Sequence, residues 1–200
     1  MATVWKVPNL WPGRSVAVLA SGPSMSCEVV SAVHAAGLPA LATNNTYRLA
    51  PWADVLYAAD DAWWQEHPDA LGFRGVKVGG GNPPDPRVMV LRNTGAEGYD
   101  PDPTCFRTGG NSGYAAVHIA AQAGARRILL LGFDMRGGHW HGPHPKPLRT
   151  TPPPTFGRWI ERFETLAAEL EKRGVQVINC TPGSALKCFP RSDLGKALEK

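Results

Sequence analysis

Short apolar runs recur along the chain, and nearly every one stops on small or polar residues. In "SVAVLASGPSM" the run from Val16 to Ala20 is broken by Ser21, Gly22, Pro23 and Ser24. The next stretch, "SCEVVSAVHAAG", sets Val29, Val33 and Ala36 at helical spacing and ends at Gly37, which predicts a strand, a tight turn and a helix. "PALATNN" predicts a second strand ending on Asn44 and Asn45, and "ADVLYAADDAWW" a third ending on Asp60 and Asp61. Two weaker strands, over 76–78 and 88–91, flank the Pro-rich "GGGNPPDP".

Further along, "NSGYAAVHIAAQAG" has small side chains throughout and closes on a glycine suited to a left-handed cap, so it predicts a helix lying close on a sheet. "RRILLLGFD" follows as a buried-type strand ending on Asp134. After a Pro-broken loop, "TFGRWIERFETLAAELEKRG" puts Phe156, Trp159, Ile160, Phe163, Leu166, Ala167 and Leu170 on one helical stripe, with Thr155 as the N-cap. "VQVINCTPGS" is the last strand. Strands that alternate with helices, and are too apolar to face water on either side, predict an α/β fold: a Rossmann-like, mostly parallel sheet with helices on both faces.

Composition changes this picture only a little. At 200 residues, with 43% hydrophobic and 19% charged, the chain suits one domain over 1–200, and 22 glycines with 19 prolines predict short elements and long connections. No stretch reaches the ~18 uninterrupted apolar residues of a membrane span, and the N-terminus lacks the apolar core of a secretion signal. A cytoplasmic location is expected. The four cysteines form no CxxC pair and read as reduced thiols. The net charge of +4 is scattered as single residues, which favours small anionic ligands over a nucleic-acid tail, while a pI near 9.0 keeps a polyanionic partner open.

In an open parallel sheet, ligands bind beyond the carboxyl ends of the strands. The residues there are Ser21 to Ser24, Asn44 and Asn45, Asp60 and Asp61, Asp134 with Arg136, and Thr181 to Ser184. Any one of these tips could be turn chemistry alone; together they predict a polar rim. "SGPS" and "TGGNSG" each open a helix and offer backbone N–H groups to an anion. Neither is a G-x-G-x-x-G fingerprint or a P-loop.

The blocks "VAVLASGPSM", "ATNNTY", "NSGYAAVHIAAQAGARRILLLGFDM" and "GVQVINCTPGSAL" resemble, in order, those of the small bacterial sialyltransferases that use CMP-sialic acid. They also resemble a broader Rossmann-like group of bacterial and phage proteins that includes archaeal hydroxymethylpterin diphosphokinases. The resemblance implies that Gly22, Pro23 and Ser24 approach a nucleotide phosphate and ribose, and that Asn44 binds the same nucleotide. It further implies that Asn111, Ser112 and Gly113 lie near the donor sugar and that Asp134 closes the following strand. Arg136 stands where the family has a phosphate-assisting tyrosine, a departure that replaces proton donation by charge. The shorter chain implies a reduced acceptor-covering lid.

The loop "GGHWHGPHPKP", within a His- and Pro-rich segment over 135–155 assigned to the active site, supplies His139, His141 and His144. The resemblance implies a general base here, with His141 preferred. H-x-H-x-x-H beside Asp134 could instead hold zinc or another divalent ion, or the rings could be solvated loop residues. His34, His67 and His118 read as helix or loop residues, His118 as a satisfied, partly buried imidazole. Trp63 and Trp64 read as core packing before base stacking, and Asp60 and Asp61 as turn caps before metal ligands.

The expectation is thus a glycosyltransferase-like enzyme moving a sugar from a nucleotide-activated donor, CMP- or other NDP-linked, to an acceptor hydroxyl. The acceptor stays open among a glycan, a small molecule and a modified DNA base, as do a homo-oligomeric state and metal dependence. Two alternatives remain: an ATP- and magnesium-dependent diphosphokinase-like enzyme using Asp60, Asp61 or Asp134, and a non-catalytic nucleotide- or nucleic-acid-binding module.

Overall fold

A computed structural model of the chain describes residues 4–148, 152 and 154–199. Strands β1 (Ser15–Leu19), β2 (Ala40–Thr43), β3 (Val55–Ala58), β4 (Val76–Gly79), β5 (Met89–Val90), β8 (Arg127–Leu131) and β9 (Gln176–Asn179) form one sheet in the order β5-β4-β3-β2-β1-β8-β9. Every pairing is parallel. The expected Rossmann-like α/β fold is present.

Alternate residues of each strand enter two different cores. Val16, Val18, Leu41, Val55, Tyr57, Ile128 and Leu130 face helices α3 (Ser112–Gln122) and α4 (Thr155–Lys172). Ala17, Leu19, Ala42, Leu56, Leu129 and Leu131 face α1 (Cys27–Ala35), α2 (Asp61–Glu66) and α5 (Leu194–Leu198). Both faces are covered, which is why the strands read as continuous apolar runs and not as alternation. Helix α3 lies across β1, β2, β3 and β8, and Gly113 through Ala120 are all buried. Alanines let its backbone sit close to the sheet, so one short helix covers four strands.

Local expectations need several corrections. The "DAWW" segment is the start of α2 rather than a strand end; it is too short for a helical period to stand out. The expected strand at 88–91 shortens to β5 in the main sheet, and beyond it an unexpected strand, β6 (Arg92–Asn93), pairs with β7 (Cys105–Phe106) in a separate two-stranded sheet. Helix α4 is capped at Pro154 with no side-chain bond, and Thr155 is its first helical residue, so the N-cap assignment to Thr155 fails. Among the described residues no helix is long and apolar enough to cross a membrane. All four cysteines are free.

Sequence order runs outward from β1 in one direction through β2 to β5, then returns to β8 on its other side. This reversal is where the two halves of the sheet part at their carboxyl ends, leaving a crevice between the tips of β1 and β8.

Candidate functional site

A cavity of ≈ 390 Å³ fills that crevice. Its floor is Ala20, Ser21 and Gly22 after β1, Thr43 and Asn44 at the end of β2, and Gly132 to Arg136 after β8. The N-terminus of α3 supplies Asn111, Ser112 and Gly113, the end of β3 supplies Tyr57 and Asp60, and Phe156 and Trp159 of α4 close one side. The size lies within the range of small-ligand sites, about 300–1,000 Å³.

Hydrogen bonds between the tips hold this floor in place. Ser21 Oγ donates to the Thr43 carbonyl (3.2 Å) and lies 3.0 Å from Thr46 Oγ1, while the Thr46 hydroxyl reaches the Ala20 carbonyl at 3.2 Å. Across the parting, the Ser24 hydroxyl donates to Asp134 Oδ2 at 2.8 Å and the Ser24 N–H lies 3.4 Å from the same oxygen. Asp134 is buried and passes beside Gly22 so closely that a methyl group on Gly22 would overlap its carboxylate and the Gly132 carbonyl. Gly22 is therefore required by approach, and Gly132, with φ +74°, by backbone conformation. Asn44 (φ 45°) and Met135 (φ 53°) also take the left-handed region. Asparagine tolerates it; methionine does so at a cost, and such outliers gather at sites that over-determine their backbone.

At the α3 end, the Asn111 side chain accepts the Tyr114 N–H (3.1 Å) as N-cap, so the free N–H groups of the first turn face the crevice. Asp60 precedes α2 without making a side-chain capping bond. The Tyr57 hydroxyl is buried with no hydrogen-bond partner among the described residues; burial, helped by the nearby Asp60 charge, pushes its pKa up.

The histidine loop is latched to the sheet edge. The Ser21 carbonyl accepts the Trp140 N–H (3.2 Å) and His139 Nδ1–H (3.3 Å), and Trp140 Nε1 donates to Thr46 Oγ1 (3.2 Å). A carbonyl can only accept, so His139 carries its proton on Nδ1. Burial pushes the pKa of all three imidazoles down, His141 to about 4; neighbouring rings add to the effect for His141 and His144, while the Ser21 carbonyl partly opposes it for His139. They are neutral at pH 7.

The cavity brings together Ser21, Gly22, Asn44, Asp60, Asn111, Ser112, Gly113, Asp134, Arg136, His139 and His144. Other expected residues do not line it. Asn45 is buried and accepts Trp63 Nε1 (2.7 Å), because a side chain next to a turning backbone points the other way. Pro23 is outside the lining, and Ser24 acts on Asp134 from behind. His141, the preferred base, also lies outside the lining. Asp61 accepts the Asn82 N–H (3.0 Å) in a turn. Thr181 and Ser184 are internal braces: Thr181 Oγ1 accepts the Phe133 N–H (2.9 Å), and Ser184 Oγ donates to the Phe133 carbonyl. Trp63 and Trp64 are core residues, as expected. His118 is fully buried, with Nε2 accepting the Asp100 N–H (2.9 Å) and Nδ1 without a partner, so it is less satisfied than expected.

Sequence reading missed Tyr57, Phe156 and Trp159 as crevice residues. The two aromatics of α4 share a helical stripe with the core residues Phe163, Leu166 and Leu170, and nothing in the period tells where that stripe leaves the core. Tyr57 is the penultimate residue of β3, shortly before the polar tip at Asp60, and only its unpartnered hydroxyl marks it.

No family model and no solved structure matches the chain. One stretch of 72 residues is 35% identical to a protein of Arabidopsis thaliana described as a probable RNA methyltransferase. The stretch covers 34% of this chain and spans about a fifth (21%) of that protein's length. This likeness overturns the expected glycosyl transfer: the partial relative carries a methyltransferase description, not that of an enzyme using nucleotide-activated sugars.

Proposed function

We propose that the crevice binds S-adenosylmethionine and that the chain is an enzyme transferring its methyl group, with RNA as acceptor. The partial likeness to an RNA methyltransferase carries this reading. The lining supports it. Among the described residues the cavity wall offers two carboxylates, Asp60 and Asp134, against one guanidinium, Arg136. Two carboxylates repel a nucleoside diphosphate but suit a ligand whose reactive centre is a cation and whose ribose offers hydroxyl donors.

When bound, this cofactor would supply an electrophilic methyl on a sulfonium sulfur; the C–S bonding pair stays on sulfur, which becomes a neutral thioether as the acceptor takes the methyl. The chain's own groups would bind and orient. Asp60 accepts ribose hydroxyls, as an acidic residue at a strand end does in dinucleotide folds. The first-turn N–H groups of α3, at Ser112 and Gly113, receive the carboxylate of the amino-acid portion. Phe156 and Trp159 offer apolar faces to the base. The buried, partnerless Tyr57 hydroxyl is one further polar group such a ligand could satisfy. A net charge of +4 favours the approach of a polyanionic acceptor.

Calorimetric titration with S-adenosylhomocysteine, beside CMP, UDP and ATP with magnesium, tests the reading. The expected result is saturable binding of S-adenosylhomocysteine alone, weakened about tenfold by Asp60→Asn through loss of a charge-assisted hydrogen bond. Binding of CMP or ATP–magnesium without S-adenosylhomocysteine would overturn it.

A further inference from the structure

On the lip of the crevice three imidazoles form a nearly equilateral triangle. Ring centroids are 5.0 Å apart for His139–His141, 4.8 Å for His139–His144 and 4.9 Å for His141–His144. One nitrogen from each lies within 4.8 Å of the other two. The nitrogens His141 Nε2 and His144 Nδ1 are buried and have no hydrogen-bond partner among the described residues. Three half-buried rings crowded together, with polar atoms shut off from water, leave a desolvation cost that no described residue offsets.

We propose that His139, His141 and His144 bind a divalent transition-metal ion, zinc in the first place. Neutral imidazole nitrogens suit zinc, copper or nickel and disfavour magnesium or calcium, which take oxygen ligands. A tetrahedral ion with Zn–N bonds of about 2.0–2.1 Å holds its nitrogens about 3.4 Å apart. Closing the triangle on one ion takes a contraction from within 4.8 Å and a turn of one ring out of the near-parallel stacking of His139 on His141 (8°), both side-chain rotations. The support expected behind such a site is already in place. His139 donates Nδ1–H to the Ser21 carbonyl, which leaves Nε2 with its lone pair free, the arrangement in which a backbone carbonyl orients a metal-bound histidine. Trp140 pins the loop between His139 and His141 to Ser21 and Thr46, and the Gly142 N–H closes a turn on the His139 carbonyl (3.0 Å).

Three protein ligands leave the fourth position of a tetrahedral ion to water or a bound molecule. Because His139 and His144 line the cavity and His141 does not, that position belongs to the crevice side of the cluster. An ion there would present a Lewis-acidic site to an oxygen or nitrogen of whatever occupies the crevice. The inference stands on the triangle alone and holds whether or not the crevice takes S-adenosylmethionine.

The test uses untagged full-length protein, stripped with EDTA, mixed with excess zinc sulfate, desalted and measured by plasma emission spectrometry. One zinc per chain is expected. Cobalt(II) substitution is expected to give the intense visible absorption of a tetrahedral site, which neither adventitious surface binding nor octahedral coordination produces. His141→Ala, chosen because it leaves the cavity wall intact, should abolish that absorption. It should also weaken zinc binding by more than the 10–100-fold typical of losing an outer-shell partner. His144→Gln is the second variant, and circular dichroism confirms that both fold. Cys27→Ser, which removes the exposed thiol, should leave zinc uptake unchanged. Zinc below a tenth of an equivalent, or uptake unaltered in both folded histidine variants, would overturn the proposal.

Discussion

Gly22 and Asp134 are where single residues decide most. The Asp134 carboxylate occupies the space a side chain at position 22 would need and is held there by the Ser24 hydroxyl. Gly22→Ala should cost about 1–3 kcal/mol, the usual range for overpacking, and disturb ligand binding with it; urea unfolding beside titration checks both. His118 gives a pH signature. Burial lowers its pKa from 6.5 to about 3, so between those values the unfolded chain binds the proton and the folded one does not. Its contribution is present above pH 6.5 and is lost as pH falls toward 3. His118→Phe should therefore be less stable than the native chain at pH 7, where it loses the acceptor for the Asp100 N–H, and the gap should narrow as the solution is acidified. Parallel curves of stability against pH would refute this.

Among the elements, α3 carries two duties through two kinds of residue. Its alanines set its distance from the sheet, and its capped first turn points free N–H groups at the crevice. Ala116→Leu keeps a good helix former, so the expected loss of about 1–3 kcal/mol in denaturant unfolding reports packing and not propensity. Asn111→Ala removes the N-cap bond and should cost about 1 kcal/mol, with weaker ligand binding from the same change. Both duties were legible in the linear pattern: the run of small residues announced close packing, and "TGGNSG" announced a helix start offering N–H groups, while the Asn111 cap bond itself was seen only in the structure. Helix α2 was not legible. Its six residues are too few for a period, and the adjacent tryptophans face the core because Trp63 bonds to Asn45 and Trp64 to the Ala58 carbonyl, contacts made only after folding.

For the whole molecule, the crevice follows from strand order. Because β1 has β2 on one side and β8 on the other, tips far apart in the chain meet: Ser21, Asn44, Asn111 and Asp134 reach one cavity. A ligand that binds only the folded chain should raise its stability by about 2.7 kcal/mol at a hundredfold excess over its dissociation constant; S-adenosylhomocysteine is expected to do so in thermal unfolding. Binding of single-stranded RNA should weaken with salt, the slope of log K against log salt falling by about 0.7 per phosphate contacted. A salt-independent affinity would argue against a polyanionic acceptor.

The linear order alone determined the parallel sheet, its two buried faces and the polar character of its rim, since these depend on runs of apolar residues and on what interrupts them, both local properties. Only tertiary structure decided which rim residues face the cavity. Asn44 lines it and Asn45 does not, because one step along a turning backbone reverses a side chain and Trp63 then holds it; among the histidines, His139 and His144 line it and His141 does not. The meeting of three imidazoles has the same origin: their spacing in the loop permits a triangle, and the bonds from Trp140 and His139 to the end of β1 draw it closed.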